Sequence, residues 1–192
     1  THSILDFEKS STMLDKIMTK KTIVIFAGTR PEIIKLAPLI RNLKNIEKAL
    51  AFNVHFCFSG QHLELAQPFL KFFQIFPDST LELMMPGQSL GQLTARASTQ
   101  LDNFLSAQKN TAALIVQGDT TTAFVSSLAG FYHHIPVAHV EAGLRTSSIR
   151  APFPEELNRR LITQLATWHY APTPAAMQNL IHEHVPQDKI LM

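Results

Sequence analysis

The sequence contains very little cysteine and has no long apolar run. Its single cysteine, Cys57, has no partner for an intramolecular disulfide. It lies inside the apolar run Phe52–Phe58, where a reduced and buried thiol is expected. No stretch approaches the ~20 apolar residues that a membrane span needs, and residues 1–20 lack the continuous apolar core of a secretory signal. A cytoplasmic protein with no membrane partner is therefore predicted.

The sequence also lacks an excess of charge of either sign. The formal net charge of the 192 residues is only +2, and no block of like charges is present. Nucleic-acid binding through a broad basic surface needs many phosphate contacts, so no nucleic-acid partner is predicted. Apolar residues make up 45% of the chain and charged residues 17%, which is typical of a folded globular protein.

Neither a metal nor a cofactor is predicted from the motifs. The chain has nine histidines, but His133 and His134 are adjacent, and His182 and His184 are two residues apart. Neither pair would share one face of a helix, which argues against a zinc site. The spacing of a dinucleotide-binding glycine motif and that of a Walker loop are both missing.

Short apolar runs alternate with helical patterns from Lys21 onward. Strands are predicted at Thr22–Ala27, Phe52–Phe58, Ala112–Gln117, Pro136–Val140, Trp168–Ala171 and Lys189–Met192. Helices are predicted after the capping box Thr29–Glu32, at Leu63–Phe73, Leu90–Gln108 and Pro154–Ala166, from Asp119 to about Tyr132, and from Thr173 to about His184. Strands separated by single helices predict an α/β domain, with a Rossmann-like parallel sheet and helices on both faces. This domain spans residues 21–192, and residues 1–20 are predicted to be a separate extension or tag.

The most distinctive polar residues follow the predicted strands, where ligands gather in such sheets. Gly28 and Thr29 lead into the first helix, whose free N–H groups can bind an anion. Arg30 adds a planar fork suited to phosphate, and Lys35 lies in the second helical turn. An ordinary capped helix with two solvated cations explains this segment equally well.

A similar arrangement follows a later strand at Gly118–Thr122. Asp119 is placed to cap the next helix, which is the structural interpretation. Thr120 and the two threonines after it supply hydroxyls and free amides near one point. The functional interpretation of these groups is a ligand contact.

Acidic residues follow the remaining strands. Glu141 ends a buried strand, where an unpaired carboxylate is costly. It is expected either to pair with Arg145 or to hold a raised pKa for proton transfer. Glu155 and Glu156 open the next helix about 100° apart, so one is expected to face the cleft while the other complements the helix dipole.

Five segments follow predicted strands or open predicted helices: Gly28–Ile40, Gly60–His62, Gly118–Thr122, His139–Thr146 and Pro152–Arg159. Together they resemble the bacterial UDP-N-acetylglucosamine 2-epimerases of the non-hydrolysing type. The resemblance runs from about Lys21 to the end of the chain. It implies one lobe of a two-lobed glycosyltransferase-B-type fold, the amino-terminal half, with the carboxyl-terminal lobe absent. It also implies a homodimer when complete and an inactive fragment otherwise.

The resemblance implies an isomerase that interconverts UDP-N-acetylglucosamine and UDP-N-acetylmannosamine by eliminating UDP and adding it back. Asp119, Glu141 and Glu155 match the family's acidic residues for proton transfer. The residues that match contacts to the UDP-sugar are Gly28, Thr29, Arg30, Lys35, Thr120 and Arg145. Gln61 and His62 match a region where a second sugar nucleotide acts as an allosteric activator, although Leu63 stands where the family commonly has arginine.

Two alternatives remain open at this point. A related group of epimerases hydrolyses the intermediate and releases N-acetylmannosamine and UDP. The other alternative is a lobe that binds a sugar nucleotide without catalysis.

Overall fold

The computed structural model describes residues 20–47, 49, 52–60 and 63–192. Within these ranges, the strands are β1 Lys21–Ala27, β2 Phe52–Phe58, β3 Ser79–Thr80, β4 Thr111–Gln117, β5 Val137–Val140, β6 Trp168–Tyr170 and β7 Ile190–Leu191. The helices are α1 Arg30–Ile46, α2 Leu63–Phe73, α3 Leu90–Ala107, α4 Thr121–Tyr132, α5 Glu155–Leu165 and α6 Pro174–His182, with a 3₁₀ turn at Gln187–Lys189. Residues 1–19 of the predicted extension, and the predicted allosteric residues Gln61 and His62, lie outside the described residues.

The strands form one sheet in the order β3-β2-β1-β4-β5-β6-β7, and each neighbouring pair is parallel. The chain moves outward from β1 to β3, then returns through α3 to β4 on the other side of β1. The strand order therefore reverses between β1 and β4. In an open parallel sheet, the crevice outside the carboxyl ends of the strands at such a reversal is the usual ligand site.

Apolar side chains cover both faces of this sheet. Along β1, Val24 and Phe26 belong to one buried cluster, whereas Ile25 and Ala27 belong to another. This alternation follows from the two-residue period of a strand. The first cluster includes residues of α3, α4 and α5, and the second includes residues of α1 and α2. The predicted α/β fold, with helices on both faces, is confirmed.

The helix starts were predicted with one error. Thr29 and Glu32 form the predicted capping box at α1. At α4, however, the N-cap is Thr120, whose Oγ1 accepts the Ala123 N–H at 3.0 Å. The prediction that Asp119 caps this helix is wrong, because its carboxylate lies one residue too early and pairs instead with Arg159.

Other differences are at the ends of elements. The sequence reading missed β3, because a strand of two residues is too short to show a period. The last strand, Ile190–Leu191, is shorter than predicted, since Lys189 belongs to the preceding 3₁₀ turn. None of the helices in the described ranges is long and apolar enough to cross a lipid bilayer.

The loop after β5 is held close to α6 by a glycine. Gly143 has a φ of +86°, and a Cβ added there would lie 2.2 Å from the Ala176 carbonyl oxygen. Only glycine allows this contact. The Asn179 side chain also donates to the Gly143 carbonyl at 2.9 Å, so the path of the chain after Glu141 is fixed by packing.

Candidate functional site

A cavity of about 390 Å³ opens outside the carboxyl ends of β1 and β4, where the strand order reverses. Its walls come from the loops after β1, β4 and β5 and from the starts of α1 and α4. The lining residues are Thr29, Arg30, Pro31, Glu32, Lys35, Leu65, Gln117, Gly118, Asp119, Thr120 and Glu141. The structure thus brings most of the predicted site residues to one place.

Glu141 presents its carboxylate to this cavity from an unusual backbone conformation. Its φ is +67°, in the left-handed region that residues other than glycine rarely adopt. Lys35 Nζ donates to both carboxylate oxygens, at 2.7 Å to Oε1 and 2.6 Å to Oε2. Gln117 Nε2 donates to Oε2 as well. The predicted pairing of Glu141 with Arg145 is therefore wrong, because Lys35 occupies that role.

These contacts define the chemistry available to Glu141. A carboxylate has about four acceptor sites, so Glu141 can accept a further hydrogen bond from a ligand beside those from Lys35 and Gln117. Its side chain is 24% exposed, so a bound molecule can reach it. Gly118 lies opposite with a φ of +72°, and a Cβ there would sit 3.8 Å from Glu141 Oε2. The small residue leaves room beside the carboxylate.

Glu32 is a second carboxylate in the cavity wall, and it is only 3% exposed. Its Oε2 accepts the N–H groups of Gly28 at 2.6 Å and Thr29 at 2.8 Å. Its Oε1 accepts the Thr120 hydroxyl at 2.7 Å. Burial raises the pKa of Glu32, and these donors partly offset the effect. Glu32 therefore ties the start of α1 to the start of α4.

Asp119 also lines the cavity, and two residues of α5 hold it in place. Arg159 Nε donates to Asp119 Oδ2 at 2.8 Å, and Arg159 Nη2 lies 2.6 Å from the same oxygen in an ion pair. Asn158 Nδ2 donates to the Asp119 carbonyl at 2.8 Å. The side chain and the main chain of Asp119 are both fixed by one helix.

Among the described residues, three predicted site residues do not line the cavity: Gly28, Arg145 and Glu155. Gly28 lies just outside it, and its N–H donates to Glu32. Arg145 makes a bidentate pair with Glu183, at 2.7 Å from Nε and 2.6 Å from Nη2, and also donates to Thr163 and to the Leu144 carbonyl. Its side chain is only 8% exposed, so it stabilises the loop after β5 instead of facing the cavity. Glu155 is half-buried as the first residue of α5 and does not line the cavity. The next residue, Glu156, is fully buried and pairs with Arg159 and Arg160.

His139 supports the cavity from inside the sheet. It is completely buried on β5, and its Nε2 donates to the Gly118 carbonyl at 2.7 Å. Burial lowers the pKa of His139 to about 4, with the neighbouring His169 and Arg145 acting in the same direction. The ring is therefore neutral at pH 7 and serves as a fixed donor.

Four residues of this arrangement were missed or undervalued by the sequence reading. Glu32 was expected only to cap a helix, Glu156 was expected either to face the cleft or to complement the helix dipole, and Gln117 and Arg159 were given no role at the site. Gln117 could have been found, since it ends a buried strand as Glu141 does. No local signal marks Arg159 as the partner of Asp119, because 40 residues separate them. Across the part of the chain that the structure describes, no three acidic, histidine or cysteine side chains cluster as metal ligands would.

The family model for UDP-N-acetylglucosamine 2-epimerase matches residues 44–192. The chain belongs to the UDP-N-acetylglucosamine 2-epimerase family. One curated relative, the UDP-N-acetylglucosamine 2-epimerase of Yersinia pestis, is 46% identical over 172 residues, which cover 90% of this chain and 44% of the relative. The chain thus spans about half the length of the curated relatives that it matches.

Solved structures of this epimerase family have the same fold. The Neisseria meningitidis UDP-GlcNAc 2-epimerase bound to UDP-GlcNAc is 43% identical, with a TM-score of 0.82 over 90% of this chain and 45% of that one. MurG of Acinetobacter baumannii, at 13% identity and a TM-score of 0.61, is similar in fold alone. The predicted family and the predicted lobe of a glycosyltransferase-B-type fold are both confirmed.

Proposed function

We propose that this chain supplies one lobe of an enzyme that interconverts UDP-N-acetylglucosamine and UDP-N-acetylmannosamine. The observation that carries the proposal is that two acidic residues, Glu141 and Asp119, and two cations, Arg30 and Lys35, line the same cavity. Membership in the epimerase family supports the same reaction. The Neisseria meningitidis relative, which contains bound UDP-GlcNAc, supports a UDP-sugar as the substrate.

The diphosphate of the substrate fits the cationic side of the cavity. The starts of α1 and α4 both border the cavity, and each brings the positive end of a helix dipole to it. Arg30 is the first residue of α1 and carries a guanidinium suited to two phosphate oxygens. Lys35 Nζ has three donors, so it can bind Glu141 and a phosphate oxygen together.

The acidic side of the cavity fits proton transfer at carbon 2 of the sugar. This proton is not acidic enough to be removed while UDP stays attached to carbon 1, so we assign an elimination. A carboxylate takes the carbon-2 proton while the bond from carbon 1 to the UDP oxygen breaks. The bond electrons leave with UDP, and a double bond forms between carbons 1 and 2. UDP then returns to carbon 1 as a proton reaches carbon 2 from the other face.

Removal and return of the proton on opposite faces require acid–base groups on both sides of the sugar ring. We assign Glu141 to one side, because it already accepts hydrogen bonds within the cavity. Asp119 borders the same cavity and is assigned to the other side. Glu155, at the start of α5, is proposed as the third acidic residue that takes part in proton transfer. Donors held in place by the protein stabilise the departing diphosphate.

The proposal extends to the whole protein. Since the chain spans about half the length of its relatives, we assign the other wall of the substrate site to a second lobe. We also propose a homodimer, which the family resemblance implies, and a cytoplasmic location, which the lack of long apolar runs led us to expect. Light scattering of the complete protein tests the homodimer.

The test is solvent exchange at carbon 2. The complete protein that contains this chain, incubated with UDP-GlcNAc in D₂O, is expected to place deuterium at carbon 2 and to form UDP-ManNAc, as read by NMR. Glu141→Gln is expected to lower the rate at least ~100-fold while leaving the melting temperature unchanged, because an acid–base group is lost.

Asp102→Asn is the matched control. Asp102 pairs with His133 on the protein surface and does not line the cavity, so full activity is expected. The absence of any deuterium at carbon 2 with the unmodified protein would exclude the proposed reaction. Free N-acetylmannosamine as the product would replace it with the hydrolysing one.

A further inference from the structure

The first two turns of α5 hold Asp119, the residue that was assigned above to one face of the sugar. Arg159 Nε donates to Asp119 Oδ2 at 2.8 Å, and Arg159 Nη2 forms an ion pair with the same oxygen at 2.6 Å. Among the described residues, no donor reaches Oδ1, so this oxygen is available to a ligand. Asn158, which is 4% exposed, holds the Asp119 carbonyl at 2.8 Å. One helix therefore fixes both the backbone and the carboxylate of Asp119.

Arg159 is itself fixed by a buried carboxylate. Glu156 is 0% exposed, and its Oε2 accepts from Arg159 Nη1 at 3.2 Å and from the Thr146 N–H at 3.1 Å. Its Oε1 accepts from Arg160 Nε at 2.9 Å. Burial by itself would raise the pKa of Glu156, but the bonds from Arg160, Arg159 and Thr146 outweigh burial and lower it. Glu156 thus keeps a fixed negative charge inside the protein.

The geometry uses properties that only arginine has. A guanidinium is planar and carries donors on three nitrogens, so one group can bind Asp119 through Nε and Nη2 and Glu156 through Nη1. A lysine ammonium at the same place can keep the charge but lacks the fixed, planar arrangement of donors on three nitrogens. Neither Arg159 nor Glu156 lines the cavity, whereas Asp119 does. Among the described residues, Asp119 is the direct link between Arg159 and the cavity wall.

We propose that Arg159 is a positioning residue that aims Asp119 into the cavity, and that Glu156 fixes Arg159 in this orientation. The inference rests on the role in proton transfer that was proposed for Asp119. Placement of a reacting group is worth a large factor in rate, since an error of about 1 Å can cost about 100-fold. The loss of either partner is therefore expected to lower the rate of the chemical step more than the affinity for substrate.

The test compares variants in the complete protein. Arg159→Lys and Glu156→Gln are each expected to lower kcat by at least about 30-fold, with KM within about threefold of the unmodified protein. Arg160→Lys is the matched control, because Arg160 contacts Glu156 from the exposed side and does not reach Asp119. Its kcat is expected to stay within about threefold of the unmodified value.

Chemical rescue separates positioning from general stability. Arg159→Ala leaves a space next to Asp119 Oδ2, and added guanidinium is expected to recover at least about fivefold in kcat. A purely structural role would give a low melting temperature and no rescue. Normal turnover of Arg159→Lys, or a variant with low kcat that guanidinium does not rescue, would overturn the proposal.

A structural measurement keeps the proposal testable without activity. Crystal structures of Arg159→Lys and Glu156→Gln are expected to show the Asp119 carboxylate turned away from its place in the cavity wall. An unmoved carboxylate would overturn the positioning role even if the reaction proposed above is correct. Conversely, absence of turnover in the unmodified protein would exclude the reaction, while a displaced Asp119 would still support the positioning role.

Discussion

Single buried polar residues hold the cavity walls together. Glu32, His139 and Glu156 are between 0% and 3% exposed, and each bonds to the main chain of a loop that borders a strand end. A buried polar group left without a partner costs about 1–3 kcal/mol, so these contacts are stability requirements as well as positional ones. The loops therefore have little freedom to adopt another arrangement.

The buried His139 predicts that the folded protein loses stability as the pH falls. The unfolded chain takes up a proton at this histidine near its ordinary pKa of 6.5, whereas the folded protein does so only near 4. Between these values the unfolded state binds more protons, so the free energy of unfolding falls as the pH falls. The contribution of neutral His139 to the free energy of unfolding is fully present above about pH 6.5, and about 3 kcal/mol of it is lost by pH 4.

The measurement is urea unfolding of the chain and of His139→Gln between pH 7 and pH 4. Glutamine can still donate to the Gly118 carbonyl but does not titrate, so its stability is expected to depend less on pH. Groups such as Glu32 and Glu183 titrate in both proteins, and their effects cancel in the difference between the two curves. Parallel curves would show that His139 does not contribute.

At the scale of elements, two helix starts meet at the site through one hydroxyl. Thr120 caps α4 by accepting the Ala123 N–H, and it donates to Glu32 in the capping box of α1. The two helices are not consecutive in the chain, yet their N-terminal turns share this contact because β1 and β4, which precede them, are neighbours in the sheet. It places both helix starts beside the same cavity.

Thr120→Ala is therefore expected to cost more than an ordinary cap. Loss of the cap costs about 1 kcal/mol, and the buried Glu32 carboxylate loses a donor at a further cost of about 1–3 kcal/mol. Ser89→Ala, which removes only the exposed cap of α3, is the control and is expected to cost about 1 kcal/mol. Urea unfolding compares them, and Thr120→Ser should restore stability. Equal losses for Thr120→Ala and Ser89→Ala would contradict the shared contact.

At the scale of the whole molecule, the sheet has a buried cluster on each face, but the cavity has walls from one lobe only. We expect the 192-residue chain to unfold in one transition, because both clusters share the strands of one sheet. Far-UV circular dichroism and the fluorescence of Trp168, the single tryptophan, should then change together. Separate transitions would contradict this expectation.

The same chain is expected to bind UDP-GlcNAc weakly and to show no turnover. A Kd above about 1 mM by calorimetry corresponds to at most about 4 kcal/mol of binding free energy, which is reasonable for half of a site. Submillimolar affinity for the chain on its own would instead favour a binding lobe that acts without catalysis.

Much of the architecture could be predicted because it depends on local chemistry. Apolar runs separated by single helices require a parallel sheet, and the capping box at Thr29 is encoded by two residues three positions apart. The rule that ligands gather at strand ends placed Arg30, Lys35, Asp119 and Glu141 correctly at one cavity. The same rule could have included Gln117.

The sequence by itself determined the order of strands and helices, the family, and the edge of the sheet that carries the cavity. Only the tertiary structure decided the partners of the charged groups. Lys35 and Arg145 both suit Glu141 by charge, yet the left-handed backbone at Glu141 and the tight loop at Gly143 direct Glu141 to Lys35 and Arg145 to Glu183. Ion pairs depend on distance in space, and sequence patterns record distance only along the chain.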